Sequence, residues 1–205
     1  MATCVRRLFA GALAIFCGQV MASQVVGQEC NFTITLPALI WAVKDTHVNE
    51  PICALRDSGS TPTPFANSVT RISWDGLKTL QVNNEPLRDI GFFRLTESGT
   101  FSFQGRGSYS DSRSGYEQRV ISQTSLRRQF TLGQSTKLNR TDVRVKWLKP
   151  VDGMIQEESV DTFFCLDAAK SNVAGVVIFN WCLPKSQKNR EILERAVMTL
   201  QIDLN

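Results

Sequence analysis

Apolar and polar residues alternate with period two through most of this chain. That regularity restricts the fold to sheet, because successive side chains of a strand point to opposite faces. Val143, Val145 and Trp147 alternate with Arg144 and Lys146, while Thr162, Phe164 and Leu166 alternate with Asp161 and Asp167 around Phe163 and Cys165. Val176 to Trp181 is apolar except for Asn180, the pattern of a strand covered on both faces. Phe92 to Leu95 and Thr100 to Phe103 flank Glu97-Ser98-Gly99 and read as a hairpin. Asp75-Gly76 and Asp152-Gly153 are tight-turn dipeptides, Thr61-Pro62-Thr63-Pro64 cannot continue a ladder, and Pro184 closes the strand ending at Cys182. By the spacing of these signals, roughly eight to ten strands are expected.

One helix is expected near the C-terminus, over Ser186 to Val197, with Ser186 or Asn189 as its cap and Ile192, Leu193, Ala196 and Val197 on its apolar face. After it, Met198, Leu200, Ile202 and Leu204 alternate with polar residues and predict a final edge strand, a candidate for strand exchange with another chain. The fold class that follows is all-β. An antiparallel β-sandwich, immunoglobulin-like or jelly-roll-like, is expected, with a barrel as the alternative and one short helix near the C-terminus.

The N-terminus sets the compartment. Arg6 and Arg7 precede an apolar run, Leu8 to Cys17, that ends in Val20-Met21-Ala22, the pattern of a cleavable secretory signal. A core of about ten residues is too short to span ~30 Å of hydrocarbon, so residues 1–22 are expected to be removed and Ser23 to begin the mature chain. Residues 23–205 are expected to form a single domain without a transmembrane anchor, secreted, periplasmic or held at the cell surface. Of the six cysteines, Cys4 and Cys17 leave with the signal. The four that remain, Cys30, Cys53, Cys165 and Cys182, are read as two disulfides in an oxidising compartment. Four cysteines allow three connectivities; Cys30 to Cys53 and Cys165 to Cys182 is favoured, because a turn over Asn172 to Gly175 lies midway between the second pair.

Charge is unevenly placed. Between Arg106 and Lys149 ten basic residues stand against three acidic ones, a net of +7 in a whole chain of +4. Arg119, Arg127, Arg128, Lys137, Arg140, Arg144 and Lys146 form a candidate basic surface for an acidic protein face, a glycan or a lipid head group. Within the same segment a Gly/Ser-rich stretch carries Arg106, Tyr109, Arg113 and Tyr116, a composition suited to a recognition loop. Nucleic acid is not expected as a partner of an exported chain, and oligomerisation is compatible with an edge strand.

Catalytic groupings are sparse. His47 is the sole imidazole, without a nucleophile elbow or a zinc motif beside it, and no phosphate loop, EF-hand or dinucleotide fingerprint occurs. Asp161 and Asp167 share a strand face but are about 20 Å apart, too far for a glycosidase pair, and are read as part of a solvated face. No metal, cofactor or catalytic residue is therefore assigned. Two N-glycosylation sequons, Asn31-Phe32-Thr33 and Asn139-Arg140-Thr141, matter if the source is eukaryotic or viral. The expected function is a non-catalytic exported interaction or structural module, such as a pilus-like or adhesive subunit of a surface assembly. A carrier of a small apolar or anionic ligand is the alternative, and a secreted hydrolase ranks last.

Overall fold

A computed structural model describes residues 23–46, 51–59, 63–79, 81–82, 85–86, 89–90, 93–95, 100–103, 106, 109–111, 116–124, 129–131, 133, 135–151 and 154–203. The chain runs through β1 (Ser23–Val26), β2 (Phe32–Pro37), β3 (Ala42–Lys44), β4 (Ile52–Asp57) and β5 (Ser68–Ser73) to a short helix, α1 (Trp74–Thr79). Short strands follow: β6 (Gln81–Val82), β7 (Glu85–Pro86), β8 (Asp89–Ile90), β9 (Phe93–Leu95), β10 (Thr100–Phe103) and β11 (Tyr109–Asp111). Then come β12 (Tyr116–Thr124), β13 (Gln129–Thr131), the long β14 (Lys137–Val151) and β15 (Met154–Asn172), β16 (Gly175–Pro184), α2 (Gln187–Met198) and β17 (Gln201–Ile202).

Antiparallel pairing joins these strands into a principal eight-stranded sheet in the order β11-β12-β14-β15-β16-β5-β4-β3. A three-stranded sheet, β1-β2-β17, and a four-stranded one, β13-β10-β9-β8, accompany it, and β6 pairs with β7. The all-β sandwich expected from the alternation is present, with α2 as its C-terminal helix. β16 explains why two layers must cover the large sheet, since every residue of it but Pro184 is buried. On one face Val177, Phe179, Trp181 and Leu183 pack against Phe32, Ile34 and Leu36 of β2 and Leu193, Ala196 and Val197 of α2. On the other, Val176 and Ile178 pack with Phe103 of β10 and Phe130 of β13. Each large apolar side chain so enclosed stabilises the fold by about 1.5–3 kcal/mol, which is why this continuous apolar strand holds the centre.

The hairpin β15–β16 has the register its turn residues dictate. Asn172 pairs with Gly175, and the Asn172 Oδ1 accepts the amides of Ala174 at 2.8 Å and Gly175 at 3.2 Å, an Asx turn. Gly175 also lies against β5: a Cβ there would stand 2.3 Å from the carbonyl oxygen of Ile72. The register places Cys165 opposite Cys182, and these two are bonded, as are Cys30 and Cys53, so the favoured connectivity is the observed one. Phe93–Leu95 pairs with Thr100–Phe103 as expected, and Val151 pairs with Met154 across Asp152-Gly153.

Two expectations are corrected. Asp75-Gly76 is not a free-standing turn but part of α1, because the Ser73 Oγ accepts the Gly76 amide at 3.0 Å and caps the helix. The long final strand is reduced to Gln201–Ile202. Met198 closes α2 and is 80% exposed, Leu200 is buried in the core, Ile202 pairs with Phe32, and Leu204 lies outside the described residues. The physical reason is a conflict of periods. Leu193, Ala196, Val197 and Leu200 follow helical spacing as well as Leu200 follows strand spacing, and burial of that stripe carries the helix through Met198. Ser186 caps α2 by accepting the Asn189 amide at 3.1 Å, which resolves the choice between the two candidate caps.

Candidate functional site

The long strand β14 carries two opposite chemistries on its two faces. Residues 139, 141, 143 and 145 face an interior; residues 140, 142, 144 and 146 share the face that α2 covers in part. On the α2 side, Arg119 of β12 stands directly opposite Lys146, and Arg144 lies two residues along the same strand. Arg144 is also opposite Thr162 of β15, whose carbonyl accepts the Lys185 amide at 2.8 Å, so Lys185 continues the row beyond β16. The Lys185 Nζ reaches Asp142 at 2.8 Å, and Arg140 pairs with Glu194 of α2 at 2.7 Å. Arg190 of α2 sits over the Phe164 ring, 4.8 Å from its centroid. A cationic stripe thus crosses four strands, about 14 Å at the usual strand spacing, with Asp142 and Glu194 among the carboxylates that pair with it.

Arg119 and Arg144 are exposed and Lys146 is half-buried. Lys185 and Arg190 were outside the basic segment singled out in the sequence. Only the register β14–β15–β16 brings them to it, although the cations of 185–195 were visible as charges.

Other members of the predicted basic set go elsewhere. Lys137 begins β14 opposite Ala169 and is half-buried, at the other end of the strand from Lys146. Arg127, Arg128 and Arg113 lie outside the described residues, as does His47. Tyr109 and Tyr116 belong to β11 and β12, where Asp111 pairs with Tyr116, so the Gly/Ser-rich stretch is in part a hairpin at one edge of the large sheet.

Arg106 is the principal correction. Read as a loop residue for a partner, it is buried, with 3% exposure, on the face of β14 and β15 away from α2. Its Nη1 donates to the Asp167 Oδ2 at 3.2 Å and its Nη2 to the Asp167 Oδ1. Its own amide donates to the Gln123 Oε1 at 2.9 Å, and the Gln123 Nε2 donates back to its carbonyl. The guanidinium lies over the Phe65 ring at 5.6 Å. Asp167, taken as solvated, is fully buried, opposite Asn180 and bonded by the Asn139 amide at 3.4 Å. Its carboxyl is pushed above the ordinary value by that burial, against the pull of Arg106 and Asn139. The sequence could not pair these two, because they are 61 residues apart and nothing local distinguishes Arg106 from its neighbours.

This interior is a structural clamp and not an open site. Arg106 ties the segment between β10 and β11 to the large sheet. Nearby, Asn67 extends the β5–β16 ladder with its side chain: its Oδ1 accepts the Cys182 amide at 2.8 Å and its Nδ2 donates to the Cys182 carbonyl at 3.2 Å. The aromatic side chains Phe32, Phe164, Phe179 and Trp181 are spent on core packing between the layers. Two disulfides fit an oxidising compartment, and no described helix is long and apolar enough to cross a membrane. Comparison with protein-family models, with curated proteins and with solved structures finds no match to this chain.

Proposed function

We propose that this protein is an exported, non-catalytic interaction module that recognises an anionic partner through the stripe formed by Arg119, Arg144 and Lys146 with Lys185 beside them. The observation that carries the reading is the cross-strand opposition of Arg119 and Lys146 on one accessible face, with Arg144 adjacent. A rigid sheet holds these side chains at fixed spacing, and arginine's planar fork suits sulfate, phosphate or carboxylate groups. The disulfides support work outside the reducing cytoplasm, and the surface-assembly role belongs to the same reading, with the acidic partner as a neighbouring subunit or surface polymer. Strand exchange through the C-terminus is not part of it, because β17 is short and Lys170 Nζ bonds the Leu200 carbonyl at 2.7 Å beside it.

Binding to heparin, as a sulfated probe, tests the proposal. Cations near an anionic surface contribute about 1 kcal/mol each, so Arg119→Ser/Arg144→Ser/Lys146→Ser should weaken binding by roughly 3 kcal/mol, on the order of a hundredfold, with a shallower salt dependence. An affinity that the triple substitution leaves unchanged removes the stripe as the recognition surface.

A further inference from the structure

The two glycosylation sequons meet opposite fates in the fold. Asn139 is 7% exposed; its Nδ2 donates to the Thr141 Oγ1 at 3.2 Å and to the Asp167 Oδ2 at 3.4 Å, inside the Arg106 clamp. A glycan on that nitrogen would replace a buried donor with a bulky polar group and could not coexist with the packed sheet. Asn31 is the reverse case. It is exposed, at φ 55 and ψ 42 in the left-handed region, where the chain leaves the short 3-10 turn Gln28–Cys30 and enters β2. Its backbone is fully engaged, the amide donating to the Gln28 carbonyl at 3.1 Å and the carbonyl accepting from the Asp203 amide at 3.1 Å, so the backbone is held while the side chain projects outward.

We infer that Asn31 is an N-glycan acceptor and that Asn139, despite its sequon, is not one in the folded protein. Two residues further on, Thr33 supplies the hydroxyl that the sequon requires. The co-substrate is an oligosaccharide linked to a polyprenyl pyrophosphate. The Asn31 Nδ2 forms a bond to the anomeric carbon, the bond from that carbon to the phosphate oxygen breaks, the amide loses one proton, and the lipid pyrophosphate leaves. The glycan would stand at the turn closed by the Cys30–Cys53 disulfide, next to the three-stranded sheet and not on β12 or β14 where the cationic stripe lies. The inference rests on the export reading, because the transferase acts only on translocated chains.

The test is expression of the full chain in a eukaryotic secretory host under its own leader and, in parallel, of residues 23–205 behind a leader known to function there. Site occupancy is read by mass spectrometry of Asn31 and Asn139 peptides after enzymatic deglycosylation, in secreted and cell-associated fractions. The expected result is one glycan, at Asn31, abolished by Asn31→Gln and by Thr33→Ala. An unmodified Asn31 in chains translocated by the second leader overturns the inference, as does a glycan on Asn139 in the secreted, disulfide-bonded protein. Translocation under the second leader alone would count against the native leader and leave the acceptor assignment to be read from the same peptides.

Discussion

Replacing Arg106 by methionine removes the only cation bonded to Asp167 among the described contacts, while leaving a side chain long enough to occupy most of the space over Phe65. Asp167 then remains at 0% exposure with its charge uncompensated. Breaking a buried pair in this one-sided way costs about 3–5 kcal/mol, because the surviving charge keeps its desolvation penalty and loses its attraction. At roughly 2–4 °C per kcal/mol for a domain of this size, Tm should fall by about 6–20 °C. Arg106→Met/Asp167→Leu should recover most of the loss, since replacement of both partners leaves no buried charge behind. The pH dependence gives an independent check. Burial already raises the Asp167 carboxyl above 3.8, and loss of the guanidinium removes an opposing pull, so the variant's value lies higher still. A carboxyl raised on folding contributes stability that is fully present below its unfolded pKa and is lost as pH climbs through the folded value. The deficit of Arg106→Met relative to the parent is therefore greater at neutral pH than in acid, where protonation of Asp167 removes the buried charge. Urea unfolding followed by tryptophan fluorescence, with disulfides intact, measures the parent, Arg106→Met, Asp167→Leu and the double variant, each at neutral and at acid pH. A deficit under about 1 kcal/mol, a deficit independent of pH, or additive single and double variants would refute the clamp.

Two further substitutions probe the frame around it. Gly175→Ala places a Cβ 2.3 Å from the Ile72 carbonyl and should cost about 1–3 kcal/mol of overpacking, seen as a lower urea midpoint with an unchanged slope. Asn67→Ala leaves the buried Cys182 amide and carbonyl without the side chain that pairs them and should cost about 1–3 kcal/mol, with faster hydrogen exchange at the Cys182 amide as the local readout.

Period and turn chemistry carried most of the architecture. The continuous apolar run of Val176 to Trp181 announced a strand buried on both faces, and Asn172 with Gly175 fixed the register that brings Cys165 and Cys182 together. The apolar face of α2 was equally legible, while the choice of Ser186 over Asn189 as its cap came only with the structure. What failed were local readings of residues whose environment is set from far away. Arg106 looked like a surface arginine until Asp167 met it, and Leu200 fitted two periods at once until burial of the helical stripe decided between them. The basic face was half visible for the same reason: Arg119, Arg144 and Lys146 are close in sequence, but Lys185 reaches them only through the sheet.

The pairing of Cys165 with Cys182 makes oxidation a proofreading step for the central hairpin. Because side chains alternate between faces, a slip of one residue along β15 would send one of the two sulfurs to the α2 side and the other to the opposite side, beyond bonding reach. Only the alignment that also sets Asp167 beside Asn180 and turns Phe179 and Trp181 toward β2 can be sealed. A chain that holds this bond is therefore committed to which surface of its largest sheet is interior on each side, and the two faces of the central hairpin cannot be exchanged while it stays oxidised.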